Sequence, residues 1–126
     1  MEIARIDHIV LTVRDLAATV AFYTRVLGMK EVRFGANRVA LHFGRHKINL
    51  HEAGREFEPK AARPAPGSGD LCLIAETALD AVARDLEAAG VAIEDGPVER
   101  TGAEGSIRSL YIRDPDGNLI EIASYD

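Results

Sequence analysis

The chain repeats itself in punctuation rather than in letters, and that repeat constrains its fold more than any other feature. Asp15 has the side chain of a helix N-cap, and Gly28 stands where a glycine stops a helix. Thr77 and Gly90 give the same two signals again at one common interval. That interval also carries His8, near the start of a strand pattern, onto Asp70. Between cap and stop, Leu16, Val20, Tyr23 and Leu27 form one apolar helical stripe. Leu79, Val82 and Leu86 form the second, and Thr77 with Asp80 has capping-box spacing.

Strand patterns flank each helix. The first copy predicts strands over Ile6–Val13, Lys30–Phe34, Arg38–Phe43 and Lys47–His51, with a turn at Gly44-Arg45. The second predicts Leu71–Ala75, Ala92–Asp95, Ser106–Arg113 and Leu119–Ser124, the last two joined by Asp114-Pro115-Asp116-Gly117. That turn lengthens the second copy, and beyond it Ile48-Asn49-Leu50 matches Ile120-Glu121-Ile122. Glu52–Gly69, with Pro59, Pro64 and Pro66 among several glycines and charges, reads as a linker or mobile loop. The expectation is an α+β fold in a single domain. Two βαβββ repeats, about residues 1–52 and 70–126, are joined by a linker of about 53–69.

Composition supports a folded domain and narrows its partners. Of 126 residues, 47% are hydrophobic and 28% charged, enough apolar matter for a core. A net charge of −5 argues against nucleic acid, and the longest basic cluster, Arg45-His46-Lys47, is short. Cys72 is the one cysteine, which excludes an intrachain disulfide and a cysteine-rich zinc cage. No stretch approaches the ~20 apolar residues of a membrane span, and the N-terminus enters a strand pattern directly. The expected setting is cytoplasmic, with no membrane partner.

Strand parity then sorts side chains between two faces. One face is continuous and apolar: Ile9, Leu11, Val39, Leu41, Phe43, Ile48, Leu50, Leu110, Ile112, Ile120 and Ile122 should pack under the helices. The other carries His8, Val10, Thr12, Ala40, His42, Asn49, His51, Asp70, Cys72, Ser109, Tyr111, Glu121 and Ala123. The repeat makes His8, Asn49, Asp70 and Glu121 equivalent positions on first and last strands. Imidazole and carboxylate suit zinc, iron, nickel or manganese, and an amide oxygen is a weaker ligand. His51, two residues beyond Asn49, is a ligand, a general base or a support for one. Asp70 either ligates or begins its strand by bonding local backbone. His42, Tyr111, Cys72 and Asn49 line the same face as packing or substrate contacts. Nothing in the sequence lowers the thiol pKa of Cys72, which argues against a nucleophile.

These residues resemble the vicinal oxygen chelate superfamily, also called the glyoxalase/bleomycin resistance/dioxygenase superfamily. Ile6-Asp7-His8-Ile9-Val10-Leu11 is similar to its first strand, and Phe22-Tyr23 through Leu27-Gly28-Met29 to its helix exit. Arg113-Asp114-Pro115-Asp116-Gly117-Asn118-Leu119-Ile120-Glu121 is similar to its most specific motif. Asn49-Leu50-His51-Glu52, Glu56-Phe57-Glu58-Pro59 and Gly69-Asp70-Leu71-Cys72 resemble a subgroup of small stand-alone glyoxalase-domain or virulence-associated proteins. The resemblance implies a curved, cup-shaped mixed sheet with helices outside, a homodimer, and a divalent metal that polarises vicinal oxygens of a substrate. It assigns His8 and Glu121 as metal ligands. Asp70 stands where the family has a second histidine and Asn49 where it has an acid, so a third ligand falls to Asp70 or His51. A metal-dependent lyase, isomerase or dioxygenase acting on a small oxygenated metabolite is the implied function, with Glu121 and His51 as catalytic candidates. The alternative is a non-catalytic protein that sequesters a drug or toxin.

Overall fold

The computed structural model describes residues 1–125. The chain divides into two compact units, Met1–Gly67 and Ser68–Asp126. Unit 1 runs β1 (His8–Val13), α1 (Leu16–Arg25), β2 (Lys30–Phe34), β3 (Arg38–Phe43) and β4 (His46–Glu52). Unit 2 runs β5 (Asp70–Ile74), α2 (Leu79–Ala88), β6 (Asp95–Gly102), β7 (Gly105–Arg113) and β8 (Leu119–Ser124). Each is one βαβββ module, and together they make the expected α+β fold. The sheets have matching orders, β1-β4-β3-β2 and β5-β8-β7-β6. In both, the first strand pairs parallel with the last, and the remaining pairs are antiparallel.

The helix ends differ between the copies. Asp15 caps α1 from extended backbone, its carboxylate accepting the Ala18 N–H at 3.1 Å. The helix closes at Arg25, before Leu27, and Met29 N–H reaches back to the Tyr23 carbonyl at 3.0 Å. Gly28 at φ +70° makes that reversal without strain. For α2 the expected Thr77 cap is not formed: Ala78 occupies the cap position, and no side chain bonds the first turn. Thr77 lies one residue too early for its hydroxyl to serve those amides. Asp80 in the first turn leaves a charge–dipole contribution instead.

The second strand of the second copy also lies later than Ala92–Asp95. β6 runs through Gly96 and Pro97 as an edge strand. Its register shifts between Asp95 and Val98, where a bulge accommodates a proline without an N–H. Gly96, at φ +102°, lies so close to β7 that a Cβ there would collide with the Ser109 carbonyl.

The cores follow parity. Leu11, Val13, Val39, Leu41, Ile48 and Leu50 are buried in unit 1 with Tyr23 and Met29, and α1 lies against β2, β3 and β4. Leu79, Val82 and Leu86 of α2 are buried in unit 2 with Leu110, Ile112, Ile120 and Ile122, and α2 lies against β7. Ile9 and Phe43 are only half-buried.

The Asp114–Asn118 turn is a polar clamp. Asp114 Oδ1 accepts the amides of Asp116 and Asn118 at 2.9 Å each, and Oδ2 accepts Asn118 Nδ2–H at 2.8 Å. Asn118 Oδ1 accepts the Gly69 amide at 2.7 Å, which ties the start of β5 to the start of β8. Asp114, Asp116 and Asn118 are buried, so this network replaces water for groups that would otherwise be stranded. Residues 53–69 contain no helix or strand. No helix among the described residues is long and apolar enough to cross a membrane.

Candidate functional site

Cross-strand pairing sets the polar face out in rows. In unit 1 the first row is His8, Lys47, His42 and Lys30, and the second is Val10, Asn49, Ala40 and Val32. A third contains Thr12 and His51, with Arg38 and Phe34 beside them. In unit 2, Asp70, Leu119 and Arg113 make one row, and Cys72, Glu121, Tyr111 and Asp95 the next. Val10 pairs with Asn49 as Cys72 pairs with Glu121. The equivalence of Asn49 and Glu121, taken from the repeat, therefore holds in strand register.

His8 is exposed at the edge of its sheet, and its Nδ1 lies 2.8 Å from Asp7 Oδ2. That hydrogen bond, with the charges of Arg5 and Lys47, holds the Asp7 carboxyl below its ordinary pKa. A carboxylate at Nδ1 fixes the ring and leaves Nε2 to act outward, the arrangement common behind metal-ligating histidines. A cavity of about 290 Å³ beside it is lined by Asp7, His42, Gly44, Arg45, His46 and Lys47. Asn49 is buried, and its Oδ1 has no hydrogen-bond partner among the described residues.

His51 is buried at the far end of the face. Its Nε2 lies 3.5 Å from Arg38 Nη2, and the Phe57 ring meets it edge-on at 5.6 Å. Burial, then the Arg38 guanidinium, pushes its pKa below the usual histidine value, with Glu56 opposing. His51 pairs with Thr12, whereas His8 pairs with Lys47. The two imidazoles thus stand four residues apart along the strands, ~13 Å at ~3.3 Å per residue. The structure does not bring His51 together with His8.

In unit 2, Glu121 is half-buried, and its Oε2 accepts the Ser109 hydroxyl at 2.6 Å. Partial burial, then the charge and hydrogen bonding of Glu121, pushes the Cys72 thiol up to about 11. Cys72 is therefore a protonated neighbour of the carboxylate at neutral pH. On the other side of Glu121, the Tyr111 hydroxyl accepts from Arg100 Nε at 3.0 Å. Asp70 is exposed and lies diagonal to Glu121, ~7–8 Å away by strand geometry. Among the described residues, no three of His, Cys, Asp and Glu cluster closely enough to hold an ion. Taken singly, the donor types suit divalent ions: in unit 1 an imidazole held from behind by Asp7 and a buried amide oxygen with no partner among the described residues, and in unit 2 a carboxylate anchored through one oxygen.

Sequence reasoning passed over Arg38, Lys47 and Phe57. Arg38 and Lys47 share the parity of His42 and Asn49, so the signal was present at the strand ends. Phe57 lies in the loop, where no periodicity could place it.

The model of the Glyoxalase/Bleomycin resistance protein/Dioxygenase superfamily matches residues 5–122. The Virulence protein STM3117 of Salmonella typhimurium is 59% identical over 99% of this chain and 87% of that protein. Its crystal structure superposes with a TM-score of 0.98 over 100% of both chains. The Glyoxalase domain-containing protein RDO1 of Mycosarcoma maydis is 50% identical, covering 99% of this chain and 70% of that protein. A lactoylglutathione lyase of Salmonella typhimurium is 32% identical, covering 94% of this chain and 90% of that enzyme. The chain belongs to the glyoxalase/bleomycin resistance/dioxygenase superfamily, the vicinal oxygen chelate proteins.

Proposed function

We propose that this protein is a metal-dependent enzyme of the cytoplasm that acts on a small oxygenated metabolite. His8 and Glu121 are the metal ligands, and Asp70 is the third donor. The observation that carries the reading is the Asp7–His8 contact at 2.8 Å, which prepares an exposed imidazole nitrogen on a strand that begins the polar face. Similarity to a lactoylglutathione lyase favours lyase chemistry over the isomerase and dioxygenase alternatives.

A divalent ion bound by these residues would polarise paired oxygens of the substrate and stabilise charge developing on them. The chain's own groups orient and supply protons. Ser109 anchors one oxygen of Glu121, which sets the carboxylate to ligate or to take a proton at a defined position. Asn49 offers a buried amide oxygen to a substrate hydroxyl. Cys72 stays a thiol and shields Glu121 rather than attacking. His51, held behind Arg38 and Phe57, supports the guanidinium instead of ligating.

The test is elemental analysis of protein purified without an affinity tag, paired with thermal shift on metal addition. Retention of zinc, iron, nickel or manganese that His8→Ala and Glu121→Ala both abolish, with the fold intact, is the expected result. No metal in either measurement moves the protein to the sequestering alternative.

A further inference from the structure

We propose that the polar face of unit 1 binds an oxyanion, a carboxylate or phosphate group of the substrate, between Arg38 and Lys47. The inference deepens the proposed function and rests on its placing substrate on this face. The Lys47 ammonium lies 4.2 Å from the centroid of the Phe34 ring, and the Arg38 guanidinium 5.1 Å from the same centroid. Arg38 is also 4.9 Å from the Phe57 centroid. Two cations thus converge on one aromatic ring, although like charges so placed repel.

Both side chains are half-buried, and among the described residues neither is paired with a carboxylate. The nearest acids are engaged elsewhere. Asp7 holds His8 and Arg5, and Glu56 accepts the Gly54 amide at 2.8 Å and lies 3.9 Å from Lys60. His51 beside Arg38 is neutral or cationic in either protonation state and supplies no negative charge.

In a chain of net charge −5, a half-buried Arg38 with no ion pair among the described residues, beside a Lys47 that feels only the Asp7 carboxylate already bonded to His8, is a cost that a bound anion would relieve. The aromatic rings hold the guanidinium in place, and its remaining N–H groups present a fork suited to two oxygens of one anion. Lys47 supplies the second charge and also lines the neighbouring cavity, with Arg45, His42, His46, Gly44 and Asp7. Arg38 and Lys47 would therefore select acids or phosphate esters over neutral diols.

The experiment is an NMR titration of the metal-free, full-length protein with inorganic phosphate, with glycolate, and with neutral ethylene glycol. Saturable shifts of β2–β4 amides with an anion, and none with ethylene glycol, are expected. The tighter of the two anions identifies the source. Arg38→Met and Lys47→Met should each weaken binding by roughly tenfold or more, while Arg25→Met on α1 should not. Equal response to ethylene glycol, or anion affinity that survives both substitutions, overturns the proposal. A loss of the same size in Arg25→Met would reduce it to general charge attraction and overturn it too. If Arg38→Met fails to fold, Lys47→Met decides. Metal is absent and the metal ligands are unchanged, so a null result leaves the metal reading standing, and failure of the metal reading leaves this binding measurable.

Discussion

Asn118 accepts the Gly69 amide at 2.7 Å across 49 residues of sequence, and through that bond the turn before β8 fixes where β5 begins. Asp114 holds Asn118 in turn, by its amide and its side chain. Asn118→Ala should therefore remove the side-chain bond to Asp114 and the bond from the Gly69 N–H together. The expected loss is about 2–4 kcal/mol of stability, measurable by urea denaturation. A loss below about 0.5 kcal/mol, the size of an ordinary surface substitution, would mean that the clamp carries no stability.

Cys72 gives a chemical readout of Glu121. Alkylation by iodoacetamide should be slow at neutral pH and rise with an apparent pKa of about 11. A raised thiol pKa means less thiolate at any lower pH, so removing part of the cause must speed the reaction. Glu121→Gln deletes the negative charge but leaves the burial, so the pKa should fall part of the way toward the ordinary cysteine value. Rates measured against pH in both proteins decide this. An unchanged profile in Glu121→Gln would separate the two side chains.

The exposed apolar residues point to self-association. Ile6, Val10 and Ile74 present 70%, 45% and 52% of their surfaces, and the last two lie on edge strands of their sheets. Edge strands carrying such side chains are usually covered. Analytical ultracentrifugation should show a C2 homodimer at micromolar concentration, and Val10→Lys with Ile74→Lys should shift it to monomer. A monomer in the unsubstituted protein refutes this.

What could be read from the sequence tracks how local each cause is. Lys30–Phe34, Arg38–Phe43 and Leu119–Ser124 were bounded correctly because alternation and turn glycines are written in adjacent residues. Thr77 misled because a cap is decided by where the chain enters the helix, and Ala78 enters one residue later. β6 was misplaced because Gly96 and Pro97 break a strand in isolation but are accommodated by an edge bulge. Parity placed Cys72, Glu121 and Tyr111 on one face, and the strand register sets them in one row. The long reach of Lys47 toward Phe34 was invisible, because it crosses rows that parity treats as separate. The same limit hid Arg38 beside His51.

Asp7 provides the most discriminating test of the metal centre, because it touches His8 without being proposed as a ligand. Its Oδ2 at 2.8 Å from Nδ1 keeps that nitrogen as the hydrogen-bond donor and Nε2 as the lone-pair donor. Asp7→Asn keeps the shape but removes the charge that favours this tautomer, and Asp7→Ala removes the hydrogen bond altogether. Each should weaken divalent-metal affinity by roughly 10–100-fold, the usual consequence of losing a group that orients a ligating histidine. Thermal stability of the metal-free protein should stay nearly unchanged, because Asp7 is exposed. Competition titration against a chromogenic chelator measures the affinity, and the metal-free melting temperature controls for folding. If both variants retain unsubstituted affinity while His8→Ala loses it, His8 ligates without Asp7. If His8→Ala also retains it, the ion is held elsewhere, and His8 at the sheet edge is no ligand at all.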